Sequence, residues 1–335
     1  MTKIAFCNLS IPGVQLIKDF HKLTTRFRQF GGMRLLRQYA EIGVLWTGVN
    51  ALFAALIKKH TFKKAYSELL KKVEPFLAER YREVLKERKL FYERQECVHS
   101  ASNVIWFCWL QGLENAPLIV KACYNSLKRN LSNREIKVID ADNWRKYVDL
   151  PQFIVEKWER RRIPAANFSD LLRLQLLIKY GGAWIDSTVL CTCSSNVNEF
   201  LDADLFLFRY SKQGNLPLSI SNWFISSCSN NEVLLVLRDM LLAYWRDYDC
   251  VLDYYIFHLF FAMLSKEYPE QMLAMPNANS RDSLVLLNHW NEQFDKGKWD
   301  MLTAKVPFHK LSARPDRMTI SNSGNYYNAI LRIYS

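Results

Sequence analysis

The stretch Phe168–Thr192, FSDLLRLQLLIKYGGAWIDSTVLCT, constrains the 335-residue chain more than any other. Leu171, Leu172, Leu174, Leu176, Leu177 and Ile178 would cover most of the surface of a helix, so that helix has to be buried. Ser169 stands before the apolar run as its N-cap. Asp170 and Arg173, three residues apart, share one face near the helix start. Gly181-Gly182 predicts a left-handed stop. Ala183–Leu190 then predicts a buried strand interrupted by Asp186, and strand alternation puts Asp186 and Thr188 on the same side. A carboxylate on a buried strand is costly unless it is paired or binds a cation. Taken singly, Asp170 and Arg173 read as a structural ion pair and Asp186 as a strand end. Their spacing around one Gly-Gly stop points instead to a site.

The first third of the chain has a different texture. Residues 1–96 hold 19 Lys and Arg against 9 Asp and Glu, so nearly all of the net charge of +12 lies there. Periodicity predicts helices over Val14–Phe30, Arg34–Lys58 and Phe62–Glu96, the last broken or kinked at Pro75. Ile42–Ile57 is uncharged but contains Thr47, Asn50 and two glycines, and it is shorter than the ~20 apolar residues of a spanning helix. A buried or interface-lying helix fits it, and the basic residues nearby suit an anionic membrane surface or simple solvation. No helix-turn-helix, zinc spacing or aromatic RNA-binding pattern accompanies the charge, so nucleic acid is not an expected partner. The eight cysteines form no C-x-x-C pair. Reduced thiols and an N-terminus without the apolar core of a secretory signal lead us to expect a cytoplasmic protein, peripheral at the inner face of the membrane.

From Val98 onward the pattern is α/β. Asn103–Leu110 predicts a strand, Pro117 opens a helix to about Asn130, and Glu135–Ile139 predicts a second strand. This βαβ unit implies a parallel sheet whose ligand lies beyond the strands' carboxyl ends, close to Trp109, Gln111 and Asp140. Trp106 and Trp109 can stack on a ring or fill the core. Short helices over Asn143–Tyr147 and Pro151–Arg162 precede the central stretch. Strands over Ala203–Arg209 and Leu218–Ser226 follow it, with a turn at Gln213-Gly214-Asn215. Helices over Glu232–Tyr248 and Asp253–Lys266 come next, the second with Asp253, Tyr254 and His258 on one side. The expected division is a basic helical region, 1–97, and an α/β domain, 98–335.

SDLLR followed by YGGAWIDST resembles the SDxxR…GGxxxDxD core of the GT-A sugar transferases that include bacterial polysaccharide transferases and clostridial toxin glucosyltransferases. With D-S-T in place of D-x-D, it is most similar to the capsular polysaccharide synthesis protein family. The likeness runs from about Asn103 to Leu311 through VIWFCWLQG, AP…CYNSL, ISNWFISS, YW…DYYIFH and FHKL. It implies a GT-A-like, Rossmann-type nucleotide-sugar-binding domain with a helical N-terminal extension. It further implies transfer of a sugar, with retention, from a nucleotide-sugar donor to a saccharide or lipid-linked saccharide acceptor in cell-surface polysaccharide synthesis.

On the same resemblance Asp170, Arg173 and Asp186 are the catalytic group, with Asp170 and Arg173 on the sugar hydroxyls. Trp109, Gln111, Asp140, Thr188, Asp253 and Lys310 belong to the donor site. Asp186 and His309 would ligate Mn²⁺ or Mg²⁺, ions that take oxygen ligands from one or two carboxylates and phosphate. The late pair His309-Lys310 can close over a diphosphate, or be no more than a basic turn. Thr188 stands where the second carboxylate of D-x-D would be, and a hydroxyl is a weaker ligand. That departure puts the metal in question and leaves a silent subunit of an assembly complex as the alternative to an enzyme.

Overall fold

The computed structural model describes residues 31–57, 59–95, 99–193, 195–210 and 220–335. The expected helix Val14–Phe30 and the turn at Gln213–Asn215 lie outside them. The N-terminal region forms four helices: α1 (Met33–Glu41), α2 (Leu45–Ile57), α3 (Lys59–Arg80) and α4 (Arg82–Glu93). One expected helix is split and one expected break moves. Arg34–Lys58 is divided at Gly43, whose φ of 72° only glycine adopts readily. Pro75, by contrast, sits inside α3. The break falls at Tyr81, whose buried ring packs edge-on against Phe260 and whose hydroxyl donates to Asp247 Oδ2 at 3.1 Å. Tertiary packing of one aromatic ring decides the kink here, ahead of the proline. Among the described residues no helix is long and apolar enough to cross a membrane.

The remainder is a mixed α/β arrangement. In chain order it contains β1 (Val104–Cys108), α5 (Leu118–Asn130), β2 (Glu135–Ile139), α6 (Gln152–Glu159), α7 (Ala165–Tyr180), β3 (Gly182–Ile185), β4 (Val189–Cys191), β5 (Leu205–Arg209), β6 (Ile220–Ser227), α8 (Glu232–Asp247), α9 (Ile256–Glu267) and β7 (Phe308–Lys310). The main sheet has the order β2-β1-β3-β6-β5. Strands β2, β1 and β3 are parallel, while β6 runs antiparallel to both of its neighbours. The sheet is thus parallel-rich and not purely parallel. Strand β1 leads to β2 on one side and lies against β3 on the other, so the order reverses between β1 and β3. At such a switch point loops diverge to opposite faces and leave a crevice at the strands' carboxyl ends.

Side-chain alternation gives the sheet two apolar faces. Val104, Trp106, Trp184, Leu207 and Ile225 point to one, where α7, α8, α9 and the N-terminal helices share a continuous core. Ile105, Phe107, Ala183, Ile185, Phe206 and Phe224 point to the other, beneath α5 and the C-terminal residues. Complete burial of each Val, Leu, Ile or Phe among them contributes about 1.5–3 kcal/mol. The six cysteines among the described residues are free.

The Gly-Gly stop is a packing requirement. Gly181 ends α7 with φ 66°, and its carbonyl accepts the indole N–H of fully buried Trp106 at 3.0 Å. Gly182 opens β3 with φ 89°, and a Cβ there would lie 2.3 Å from the carbonyl oxygen of Val104 on β1. Strand β3 can approach β1 only without that carbon. Gly182→Ala should therefore cost at least about 2 kcal/mol, from a left-handed backbone plus a clash with a strand that cannot move aside. Its thermal unfolding midpoint, compared with that of Gly324→Ala, whose Cβ would meet only the end of the Gln293 side chain, measures this.

Candidate functional site

A cleft of about 860 Å³ opens at the switch point. Its floor is made by the residues that leave β1, Trp109 to Gln111, and those that leave β3, Asp186 to Thr188. Helix α7 supplies Ser169, Asp170 and Arg173; β6 supplies Ser221, Asn222 and Trp223; Tyr254, Tyr255 and His258 form a wall at the start of α9. The segment from Lys310 to Arg314 closes the remaining side.

Helix α7 begins at Ala165 with Pro164 as its N-cap, one turn ahead of the expected start. Ser169 is consequently inside the first turns. Its hydroxyl donates to the Ala166 carbonyl at 2.7 Å and accepts from Arg173 Nη2 at 3.1 Å. Arg173 is buried: Nε donates to the Ser169 carbonyl at 3.2 Å, Nη1 donates to the Asn222 carbonyl, and the guanidinium lies 4.8 Å from the centre of the Trp184 ring. These directed contacts hold a cation over an aromatic face, a geometry that suits Arg and not Lys. Asp170 Oδ1 accepts from Asn222 Nδ2 at 2.8 Å and lies 3.4 Å from Arg173 Nη2. Burial pushes its pKa up to about 7, with Arg173 opposing the shift and Asp186 adding to it.

Asp186 is not on a continuing strand. Its N–H donates to the Trp223 carbonyl and its carbonyl accepts from Val189 N–H, so 186–188 is a turn joining β3 to β4. Asp186 and Thr188 nevertheless face one group, for a reason other than strand alternation: the Lys310 ammonium donates to both, at 2.8 Å to Asp186 Oδ2 and 2.7 Å to Thr188 Oγ1. Asp186 Oδ1 accepts the Trp184 indole N–H at 2.9 Å and lies 3.7 Å from Arg173 Nη2. Burial alone would raise its pKa, but Lys310, Arg173 and these hydrogen bonds outweigh burial and hold it below the ordinary carboxyl value. Two neighbouring carboxyls are therefore driven in opposite directions, the condition under which one can stay protonated while the other is charged.

The cleft gathers Trp109, Gln111, Asp170, Arg173, Asp186, Thr188 and Lys310, and its lining does not include Asp140, Asp253 or His309. Asp140 Oδ1 accepts the N–H groups of Asp142 and Asn143 and so closes the turn after β2. Asp253 is turned away and accepts the Tyr66 hydroxyl from α3 on both oxygens, at 2.9 and 2.8 Å. His309 alternates with Lys310 on β7 and is fully buried, which pushes its pKa down to about 4. Among the described residues no group of three or more His, Cys, Asp or Glu can hold a metal ion.

Asn222 and His258 carry more of the site than their sequence signals suggested. Asn222 bridges Asp170 and Arg173 from a different strand, and ISNWFISS offered only an Asn within an apolar run. His258 is buried with Nδ1 unpaired, and burial, then the charge of Arg173, pushes its pKa down to about 3. The indole Nε1 of Trp109 is likewise buried without a partner. Both residues line the cleft, with these nitrogens left without a partner just beneath its surface.

Fold and site together define an α/β protein with a polar, cation-lined cleft at a switch point. Residues 54–330 match the family described as capsular polysaccharide synthesis protein, and the chain belongs to that family. The match begins within α2, so α3 and α4 fall inside it. No curated protein matches the sequence. A solved structure titled "PaToxG Glycosyltransferase" is similar at 14% identity and a TM-score of 0.38, covering 69% of this chain and 94% of its own.

The opposed carboxyl shifts have a measurable consequence. Between about pH 4 and 7 the unfolded chain has released the Asp170 proton while the folded chain keeps it, so stability falls as pH rises through that window. Asp170→Asn has no proton to release. The wild-type unfolding midpoint should drop more steeply than the variant's from pH 4 to 7; parallel profiles would mean that Asp170 is already ionised when folded.

Proposed function

We propose that the chain is a nucleotide-sugar-dependent glycosyltransferase of GT-A type, of the hexosyltransferase kind, acting in capsular or other cell-surface polysaccharide synthesis. The observation that carries the reading is the convergence of Asp170, Arg173 and Asp186, from a buried helix and a strand end, on one cleft at the switch point. Four basic residues line it, Arg173, Arg281, Lys310 and Arg314, against two acidic ones, Asp170 and Asp186. Such an excess suits a donor diphosphate. The buried Asp170–Asn222–Arg173 cluster suits sugar hydroxyls, because it offers directed donors and acceptors in a site that excludes water. Trp109 and Gln111, at the end of β1, suit the nucleoside.

In the reaction the bond from the sugar C1 to the β-phosphate oxygen breaks, and its electron pair leaves with the nucleoside diphosphate. The acceptor hydroxyl oxygen forms the new bond to C1 from the same face, and its proton passes to the departing phosphate oxygen, so configuration is retained. Asp186 acts here by fixing the cations that receive the leaving charge. Asp186→Asn should reduce transfer by about 100-fold or more, the scale of losing one organising electrostatic group, when assayed well below its unfolding midpoint, which the loss of the Lys310 and Arg173 ion pairs will itself lower. Wild-type turnover in that variant would remove Asp186 from the site. A thermal-shift screen against UDP-, GDP-, CDP- and dTDP-sugars identifies the donor, since a ligand that binds only the native state raises its stability.

The acceptor is proposed to be lipid-linked, with the enzyme peripheral at the inner face of the cytoplasmic membrane. Support comes from α2, where Trp46 and Phe53 are 81% and 60% exposed and, seven residues apart, share a helix face with exposed Asn50. Exposed Arg34 and Arg37 and the basic excess of residues 1–96 complement anionic lipid. The protein should sediment with phosphatidylglycerol vesicles, be released in good part by high salt, and bind several-fold less when Trp46 and Phe53 are both changed to Ala. Equal binding to phosphatidylcholine, or none to either, would refute this.

A further inference from the structure

The family resemblance implies a divalent metal between Asp186 and position 188, and the donor set here does not fit one. A Mg²⁺ or Mn²⁺ ion binds oxygen at about 2.0–2.2 Å and would have to stand between the Asp186 and Thr188 oxygens. That position belongs to the Lys310 ammonium, at 2.8 and 2.7 Å from the two. The second Asp186 oxygen is taken by the Trp184 indole and faces Arg173. Thr188 adds no charge, and His309, the other expected ligand, is buried on the opposite side of β7.

Lys310 is also held in place by the backbone. Strand β7 pairs antiparallel with β4, Val189 opposite Lys310, and Leu311 N–H donates to the Thr188 carbonyl at 2.8 Å. Two-residue alternation along β7 therefore turns Lys310 toward Asp186 and His309 away. The ion pair is not sealed: the Lys310 and Asp186 side chains keep 22% and 26% exposure, on the cleft they line. An ammonium has three donors. Two are spent on Asp186 and Thr188, which leaves one for a ligand oxygen.

We propose that Lys310, seated on Asp186 and Thr188, is the built-in cation that receives the donor's diphosphate, so that this enzyme binds and cleaves its donor without a divalent ion. Asp186 serves as the anchor of that lysine, and Thr188 is the neutral residue that lets an ammonium, carrying a single charge, be balanced by one carboxylate. A second carboxylate at 188 would overcompensate the lysine and repel the phosphate. The proposal rests on the glycosyltransferase reading and adds to it the nature of the charge partner.

The test uses the full chain, nucleoside diphosphates (UDP, GDP, CDP and dTDP) as probes and Mn²⁺ as the metal. Thermal shift should find one of the four stabilising the wild type equally in EDTA and in Mn²⁺, and electron paramagnetic resonance should show no Mn²⁺ held tighter than about 1 mM, with or without nucleotide. Lys310→Met should weaken that nucleotide by about tenfold or more, the loss of one charge-assisted hydrogen bond. Lys310→Arg, which keeps the cation should the Met variant fold poorly, should stay within a few-fold. Lys310→Met combined with Thr188→Asp should bind Mn²⁺ and recover nucleotide binding only in its presence. Nucleotide binding that requires Mn²⁺ in the wild type, or is unchanged in Lys310→Met, overturns the proposal and leaves the donor site standing. Failure of all four nucleotides in every condition overturns the donor-site reading, and this proposal with it.

Discussion

A carboxylate at the end of a buried strand has to be compensated, and the way Asp186 is compensated organises the site. Its three side-chain partners come from three places: Trp184 from the preceding strand, Arg173 from the helix before it, and Lys310 from 124 residues further on. Each neighbour has a second duty. Trp184 carries the Arg173 guanidinium on its face; Arg173 holds the β6 backbone at Asn222; Lys310 requires β7 to pair with β4. Removing the charge at 186 would leave two cations facing each other in a partly dry cleft, where like charges are poorly screened.

What could be read from the sequence was whatever depended on near neighbours. The buried helix, its glycine stop and the strand after it were legible because periodicity and the Gly-Gly pair lie within one short stretch. The same holds for β2, whose observed limits, Glu135–Ile139, are those expected. The errors fall where a partner distant in sequence decides. Asp186–Thr188 reads as strand because alternation is its only local signal, and it is a turn because Trp223 on β6 receives the Asp186 N–H. Asp253 reads as a site acid because it precedes Tyr254 and His258, yet Tyr66 claims it from another helix. Asp140 is the opposite case: its partners are two and three residues away, and a carboxylate after a strand is as good a turn-former as a ligand. Of His309-Lys310 the sequence offers two candidates, and the register of β7 selects the second.

The N-terminal helices belong to the same construction. Tyr39 donates to the Leu252 carbonyl at 3.0 Å and Tyr66 to Asp253, so the helical region grips the segment that leads into Tyr254, Tyr255 and His258. Helix α4 packs along α8 within the core that backs the sheet. The expected boundary near residue 97 marks a change of composition and charge, while the apolar core runs across it.

The Tyr66–Asp253 grip also bears on how the chain assembles its cleft as it is made. The site draws on residues from Trp109 to Arg314, and its wall near residue 254 is secured by a tyrosine synthesised 187 residues before its partner. Contacts of such long sequence separation form late, because the loops they close have to be ordered first. A growing chain can bury α3 against α2 early, but it holds an unfinished cleft until the segment through Arg314 has left the ribosome. A chain cut short of Lys310 should therefore lack the cleft's charge partner for Asp186 altogether, and not carry a weakened form of it.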